Sequence, residues 1–244
     1  MEALAKVRAF VLLSRELWIF QNKFVQHGFE LLLLRTITKS LKRHRTHFMG
    51  EGISNLSRKE QVIRKAAELF KEKGYAAASM RDLAQLLGIE AASLYSHIKS
   101  KEEILRSLCF DMATEFRKSL EEVEKEEVSA SEKLKKGIIG HIQVMAKDLT
   151  ASAVFMNEHR HLSQPYLRDF LLLRINYINR FKSIIEEGVR NGEFKNNIDK
   201  KLAVMTLFSS LNWMPMWYDP DSAIDPQQLG HQLADMLVNG LKRV

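Results

Sequence analysis

Three serines, Ser57, Ser79 and Ser100, are each followed three residues later by an acid, Glu60, Asp82 and Glu103, and Gly74 and Gly88 punctuate the interval. A serine oxygen can accept from the third amide of a helix while the acid reaches back to the serine, so each pair marks a helix start. The pattern therefore predicts three short helices followed by a longer one. Val62, Ile63, Ala66, Leu69 and Phe70 give the first its apolar face, and Tyr75 packs just beyond its stop. Met80, Leu83, Ala84 and Leu87 do the same for the second. Gly88 makes the turn, because only glycine takes a left-handed conformation without steric cost. Ile89 plugs the small core, and the third helix runs from about Glu90 to His97 with Leu94 and Ile98 inward.

Two short helices across a glycine turn form a helix-turn-helix, whose second helix is narrow enough to enter a DNA major groove. Its outward face is Ala91, Ala92, Ser93, Tyr95, Ser96 and His97, small or hydrogen-bonding groups with no acid among them. Residues 57–106 hold ten Lys/Arg against seven Asp/Glu, so local charge agrees with a nucleic-acid surface. The chain's formal net charge of +7 is weaker evidence. Residues 1–48 carry nine Lys/Arg against three Asp/Glu, so most of the excess lies outside this region.

The stretch Gly74–Ala84 (Gly-Tyr-Ala-Ala-Ala-Ser-Met-Arg-Asp-Leu-Ala) and the stretch Gly88–Leu105 (Gly-Ile-Glu-Ala-Ala-Ser-Leu-Tyr-Ser-His-Ile-Lys-Ser-Lys-Glu-Glu-Ile-Leu) resemble the DNA-binding domain of the TetR/AcrR family over about fifty residues. Two positions depart from that pattern: Glu90 stands where many members have serine, and Ile98 where phenylalanine is frequent. The resemblance implies phosphate or base contacts from Ser93, Tyr95, His97 and Lys101. Ala91, Ala92 and Ser96 suit base edges or thymine methyls, and Ser79 and Arg81 suit the backbone. Bland readings stand beside these. The lesser alternatives are Tyr95 as a packing aromatic, His97 as a cap or packing group, and Lys101 as an ordinary surface lysine.

The expected fold is all-α: a three-helix helix-turn-helix domain at 57–106 and a helical-bundle ligand-binding and dimerisation domain at 107–244, preceded by a basic extension at 1–48 and a linker at 49–56. Nine helices are expected in 57–244. After the first three they run Lys101–Glu127, Ser129–Leu149, Ala151–Leu162, Pro165–Arg190, Leu202–Trp217 and Asp225–Leu241. Few prolines and glycines and 45% hydrophobic residues fit a helical soluble protein with one large or two modest cores. In residues 1–48 no apolar run reaches the roughly 18 residues a membrane span needs. That extension reads as an amphipathic arm, as a packed helix, or as no part of a protein whose translation starts at Met49.

Cys109, the single cysteine, excludes an internal disulfide and a cysteine zinc site, and reads as a buried inert thiol. His159 and His161 lie two apart, on divergent sides of a helix, which disfavours metal chelation and favours a surface or hydrogen-bonded core role. There is no nucleotide loop or nucleophile motif, so neither enzyme chemistry, a cofactor nor a metal is expected.

Asn157-Glu158-His159-Arg160, Gln164–Leu167, Ile185–Gly188 with Asn191–Phe194, Asn212-Trp213 and Trp217–Pro220 resemble the C-terminal domain of TetR-type regulators of fatty-acid or sterol catabolism. The resemblance implies a small hydrophobic effector of the acyl-CoA class. Candidate ligand residues are Phe155, Tyr177, Phe181, Met205, Phe208 and Trp213 from the apolar stripes, with Arg160 and Asn212 from the resembling stretches. It further implies a cytoplasmic homodimeric repressor on double-stranded operator DNA, paired through about 200–217 and 226–242. An effector between the fourth and eighth helices would swing the fourth and change the half-site distance. The alternatives are a membrane-associated regulator using the N-terminal arm, or a helical acyl-binding enzyme.

Overall fold

A computed structural model describes residues 57–221 and 224–242, and the readings of the 1–48 extension and the 49–56 linker lie outside the described residues. The described residues contain ten α-helices and one 3-10 turn, joined by short loops. The first three are α1 (Arg58–Lys73), α2 (Met80–Leu87) and α3 (Ala91–Tyr95). Two of the three serine–acid boxes close as expected, and the third closes by half, its Glu103 carboxylate accepting from the Lys99 amide at 2.8 Å instead of reaching back to Ser100. Ser57 and Glu60 form a closed box at α1, as do Ser79 and Asp82 at α2, and Ser100 Oγ accepts from the Glu103 amide at the next helix. Gly88 ends α2 at φ 62°, the left-handed turn that sets α3 across α2.

α4 (Lys101–Glu124) is a single helix of 24 residues, about 36 Å long. Its buried stripe runs from Ile104 and Leu105, in the core of the first three helices, to Phe116, Leu120 and Val123, in the core of the bundle. One rod therefore belongs to both halves. α5 (Ala130–Lys147) lies at the centre of the bundle and packs on α4, on α7 (Tyr166–Arg190) and on α10 (Pro226–Leu241). The α5–α10 contact is close because a Cβ on Gly230 would sit 3.1 Å from the Ile139 backbone. α6 (Leu149–Asn157) packs on both α1 and α4, which brings the bundle against the helix-turn-helix.

Four helices differ from expectation, each for a local reason. The expected helix Leu202–Trp217 is two: α8 (Lys200–Asn212), opened by Asp199 accepting from the Lys201 and Leu202 amides, and α9 (Met214–Trp217). Pro215 has no amide to bond back into α8, and its ring clashes with the preceding turn, so the helix restarts there. The expected Ala151–Leu162 helix begins two residues earlier, capped by Asp148, and closes at Asn157. It continues only as the 3-10 turn His159–His161. α3 is shorter than Glu90–His97, because the Ser96 hydroxyl donates to the Ser93 carbonyl at 2.7 Å and ends it. α4 stops at Glu124 rather than Glu127.

Candidate nucleic-acid interface and ligand cavity

α3 is pinned by Leu94 and Ile98, both essentially inaccessible. Everything between and around them faces outward: Ala91, Ala92, Ser93, Tyr95, Ser96 and His97 are all exposed. Tyr95, 52% exposed, makes no ring contact with another aromatic among the described residues, which argues against the packing reading. Ser79 and Arg81 are exposed at the start of α2 on the same domain, although the Ser79 hydroxyl is committed to Asp82 at 2.6 Å.

Lys101 is not a free surface lysine. Its ammonium donates to the Tyr75 carbonyl at 2.7 Å and to the Ala78 carbonyl at 2.8 Å, and lies 4.2 Å from the centre of the Tyr75 ring. Two of its three N–H groups thus fasten the α1–α2 turn to α4, and one remains for any outside acceptor. Lys99, exposed just ahead of it, was not singled out from sequence.

Residues of α4 to α8 line a partly open cavity of about 30 Å³. Phe116 of α4, His141 of α5, Phe155 of α6 and Tyr177 of α7 make its aromatic wall, with Phe208 and Asn212 of α8 opposite. Phe116 stacks on His141 with centroids 4.5 Å apart, and His141 Nδ1 lies 3.2 Å from the Tyr177 hydroxyl. His141 is 2% exposed, and burial drives its pKa down to about 3 against a smaller upward pull from the Asn212 side chain. Its Nε2 and Asn212 Oδ1 are both buried without a hydrogen-bond partner. A buried polar atom left unpaired is costly, so this pair marks where a polar group belongs.

Arg174 of α7 also lines the cavity. Its Nη1 sits 3.0 Å from His159 Nε2, and it lies beside the Phe170 ring. A guanidinium can only donate, so His159 Nε2 accepts, and His159 Nδ1–H donates to the Phe155 carbonyl at 3.0 Å. The imidazole is therefore neutral. Burial first, then the neighbouring Arg174 charge, hold its pKa down to about 4.

Of the candidate ligand residues, Phe155, Tyr177, Phe208 and Asn212 meet at this cavity. Phe181 is fully buried behind them, its ring 5.3 Å from Tyr177 and 5.2 Å from Phe208. Met205 and Trp213 point away, 48% and 42% exposed, on the outer stripe of α8. Arg160 is exposed on the 3-10 turn. Sequence reasoning passed over Phe116, His141 and Arg174. A signal existed for the last: Phe170, Arg174, Tyr177 and Phe181 recur at helical spacing, placing a cation within an apolar stripe.

The 3-10 turn joins this cavity to the helix-turn-helix. The Tyr75 amide donates to Glu158 Oε2 at 3.1 Å, and the Tyr75 ring stacks on His161 at 5.4 Å. Ser163 donates through its amide and hydroxyl to Glu102 Oε1, at 2.7 and 2.5 Å. Cys109 is buried in the same core, its thiol pushed up to about 12 by desolvation. On the far side, Leu202, Met205, Trp213 and Met216 make an exposed apolar stripe on α8–α9, and Met236 of α10 is 74% exposed. A groove of about 350 Å³ runs between α8 and α10. No helix among the described residues is long and apolar enough to cross a membrane.

Comparison with known proteins gives two family matches: the tetR family of bacterial regulatory proteins over residues 62–108, and the tetracyclin repressor-like C-terminal domain over residues 127–241. The fatty acid metabolism regulator protein of Bacillus subtilis strain 168 is 29% identical over 182 residues, covering 74% of this chain and 94% of that protein. A solved TetR family transcriptional regulator, PfmR from Thermus thermophilus, superposes with a TM-score of 0.67 at 30% identity, covering 75% of this chain and 100% of that one. AibR, crystallised with isovaleryl coenzyme A and operator DNA, superposes with a TM-score of 0.64 at 20% identity, covering 76% of this chain and 98% of the other.

Proposed function

From the premise that the chain belongs to the TetR family of bacterial DNA-binding regulators, we propose that it is a cytoplasmic repressor that holds a two-fold operator as a homodimer and is released by a small apolar effector of the acyl-CoA class. The observation that carries the DNA half is the α3 surface. Leu94 and Ile98 are buried and every residue between and beside them is small or hydrogen-bonding, exposed and free of acids. Ala91, Ala92, Ser93, Tyr95, Ser96 and His97 are assigned to the major groove. Ser79, Arg81 and the third N–H of Lys101 are assigned to phosphates.

The effector half rests on the aromatic cavity and on relatives that carry fatty-acid metabolism in their name or isovaleryl coenzyme A in their crystal. Phe155, Tyr177, Phe208 and Asn212 are its assigned walls, with Phe181 behind them. Met205 and Trp213 are reassigned to the subunit interface, since they face outward. The partner chain is assigned to the stripe on α8 and the exposed Met236 of α10. Two recognition helices then read half-sites about 34–36 Å apart or a multiple of it.

Release follows from volume. A cavity of about 30 Å³ has room for one or two water molecules, whereas small-molecule pockets run to roughly 300 Å³ or more. An effector therefore binds an expanded bundle, and Phe116 ties that expansion to α4 and so to the helix-turn-helix. A ligand with higher affinity for the expanded arrangement draws the protein away from its DNA-bound spacing. Selection from random duplex DNA tests the proposal, followed by gel retardation with a series of acyl-coenzyme A thioesters. The expected result is an inverted repeat whose complex is lost as one chain length is added. Absence of any sequence preference would overturn it.

A further inference from the structure

We infer that the effector presents an oxyanion to Arg174, so the cavity selects an apolar chain carrying an acidic group and not a neutral hydrophobe. The inference rests on the effector reading above and deepens it. Arg174 lies among Phe155, Met156, Tyr177 and Ile178. Among the described residues no carboxylate comes within 4 Å of its guanidinium, while Arg180, one turn and a half further along α7, is paired to Glu124 and Glu121. Among the described residues its one hydrogen-bonding neighbour is the neutral His159, a single acceptor for a group with five donors. Arg174 is half-buried among apolar side chains, where a charge without a counter-ion is costly and a bound anion would offset the cost.

His141 Nε2 and Asn212 Oδ1, a donor and an acceptor lining the same cavity, are buried without a hydrogen-bond partner, near enough to each other for the Asn212 side chain to pull the His141 pKa upward against burial. The Tyr177 hydroxyl near His141 Nδ1 leaves Nε2 as the protonated nitrogen when Nδ1 accepts. A ligand oxygen reaching Arg174 from within the cavity would have this second donor among the same lining residues. The two groups together describe a polar recess in an aromatic chamber, the chemistry of an acid or ester head on a hydrocarbon chain. The anion would also compete with His159 for Arg174. His159 sits on the 3-10 turn that carries His161 against Tyr75, so the exchange of partners touches the contact between bundle and helix-turn-helix.

The oxyanion can come from a free carboxylate or from the phosphates of a coenzyme A thioester, and the test separates them. Binding of fatty acids from butyrate to palmitate, the matching acyl-coenzyme A thioesters and the matching alcohols is measured by calorimetry on the full chain and on Arg174→Gln and Arg174→Lys. The wild type is expected to bind one acidic series at least about tenfold tighter than the alcohols, and Arg174→Gln to lose about that factor for the acids alone, with Arg174→Lys between them. The series that shows this dependence identifies the source. Because an uncompensated charge is removed, Arg174→Gln is expected to melt no lower than the wild type. Equal binding of acids and alcohols by the wild type overturns the inference even if neither variant folds. So does binding of acids that ignores Arg174→Gln, or the lack of Arg174-dependent binding anywhere in the series. If alcohols release DNA as well as acids do, the repressor reading survives and the assignment of Arg174 fails. If acids bind through Arg174 without affecting any DNA complex, the site survives and the repressor reading fails.

Discussion

At the scale of single residues, folding keeps two imidazoles neutral, His141 in the cavity wall and His159 behind it against Arg174. His141 and His159 have folded-state pKa values near 3 and 4, below the ordinary 6.5. Between those limits the unfolded chain binds protons that the folded chain refuses, so stability rises with pH there. It is complete above about pH 6.5 and is lost as pH falls toward 4 for His159 and toward 3 for His141. Melting temperature should therefore drop between about pH 7 and pH 4.5, each imidazole contributing a limiting slope of about 1.4 kcal/mol per pH unit. His141→Phe, which keeps a ring against Phe116, should flatten that slope by about one proton, measured by calorimetry across the range. A wild-type melting temperature unchanged by acid would contradict the burial of both rings. His159 was legible as a hydrogen-bonded group, but His141 did not announce its role in the sequence. His141 reads as one polar residue in a helix of Ile138, Ile142 and Met145, and burial cannot be read from a residue's type. The aromatic partners were legible because Phe155, Tyr177 and Phe208 fall on apolar stripes. Met205 and Trp213 fall on stripes as well, and only the packing of α8 reveals that theirs is an outer one.

At the scale of elements, α4 and its neighbours hold the two halves together. Lys101 ties the first turn of α4 to the α1–α2 turn through two carbonyls and the Tyr75 ring. Lys101→Met should cost about 1–3 kcal/mol through the loss of two charge-assisted hydrogen bonds, seen as a lower melting temperature. If the remaining N–H meets a phosphate, the same variant flattens the dependence of log affinity on log salt by about one. An unchanged slope would leave Lys101 as a clip alone. The boundaries of α1 and α2 and the start of α4 were legible because serine–acid pairs and glycines act locally, within a turn of the chain. The break at Trp213 was missed for the opposite reason: periodicity runs unbroken through Leu207, Leu211 and Met214, and the backbone restriction of Pro215 overrides it. The role of Lys101 was also out of reach, since its partners lie 23 and 26 residues away.

At the scale of the whole molecule, the outer stripe of α8–α9 and the Met236 side chain leave more apolar surface exposed than an isolated bundle needs. A two-fold partner seated there would bury them and set the spacing of the two α3 helices. Leu202→Glu combined with Met236→Glu should reduce the mass found by light scattering from two chains to one, and weaken operator binding by about a hundredfold or more as the second half-site is lost. A wild-type protein that already runs as one chain would refute the arrangement. The general plan was legible from the sequence, since helix-turn-helix and helical bundle each have local markers. The link between them, from Glu158 and His161 to Tyr75 and from Ser163 to Glu102, joins residues far apart in the chain and emerges only on folding.

The smallness of the chamber between α4 and α8 has a kinetic meaning. At about 30 Å³ it holds no more than a water or two until the walls part by their own motion. At high effector concentration the rate of escape from DNA should thus stop climbing and level at the frequency with which the bundle breathes, so the tempo of the response belongs to the protein's packing and not to the abundance of its signal.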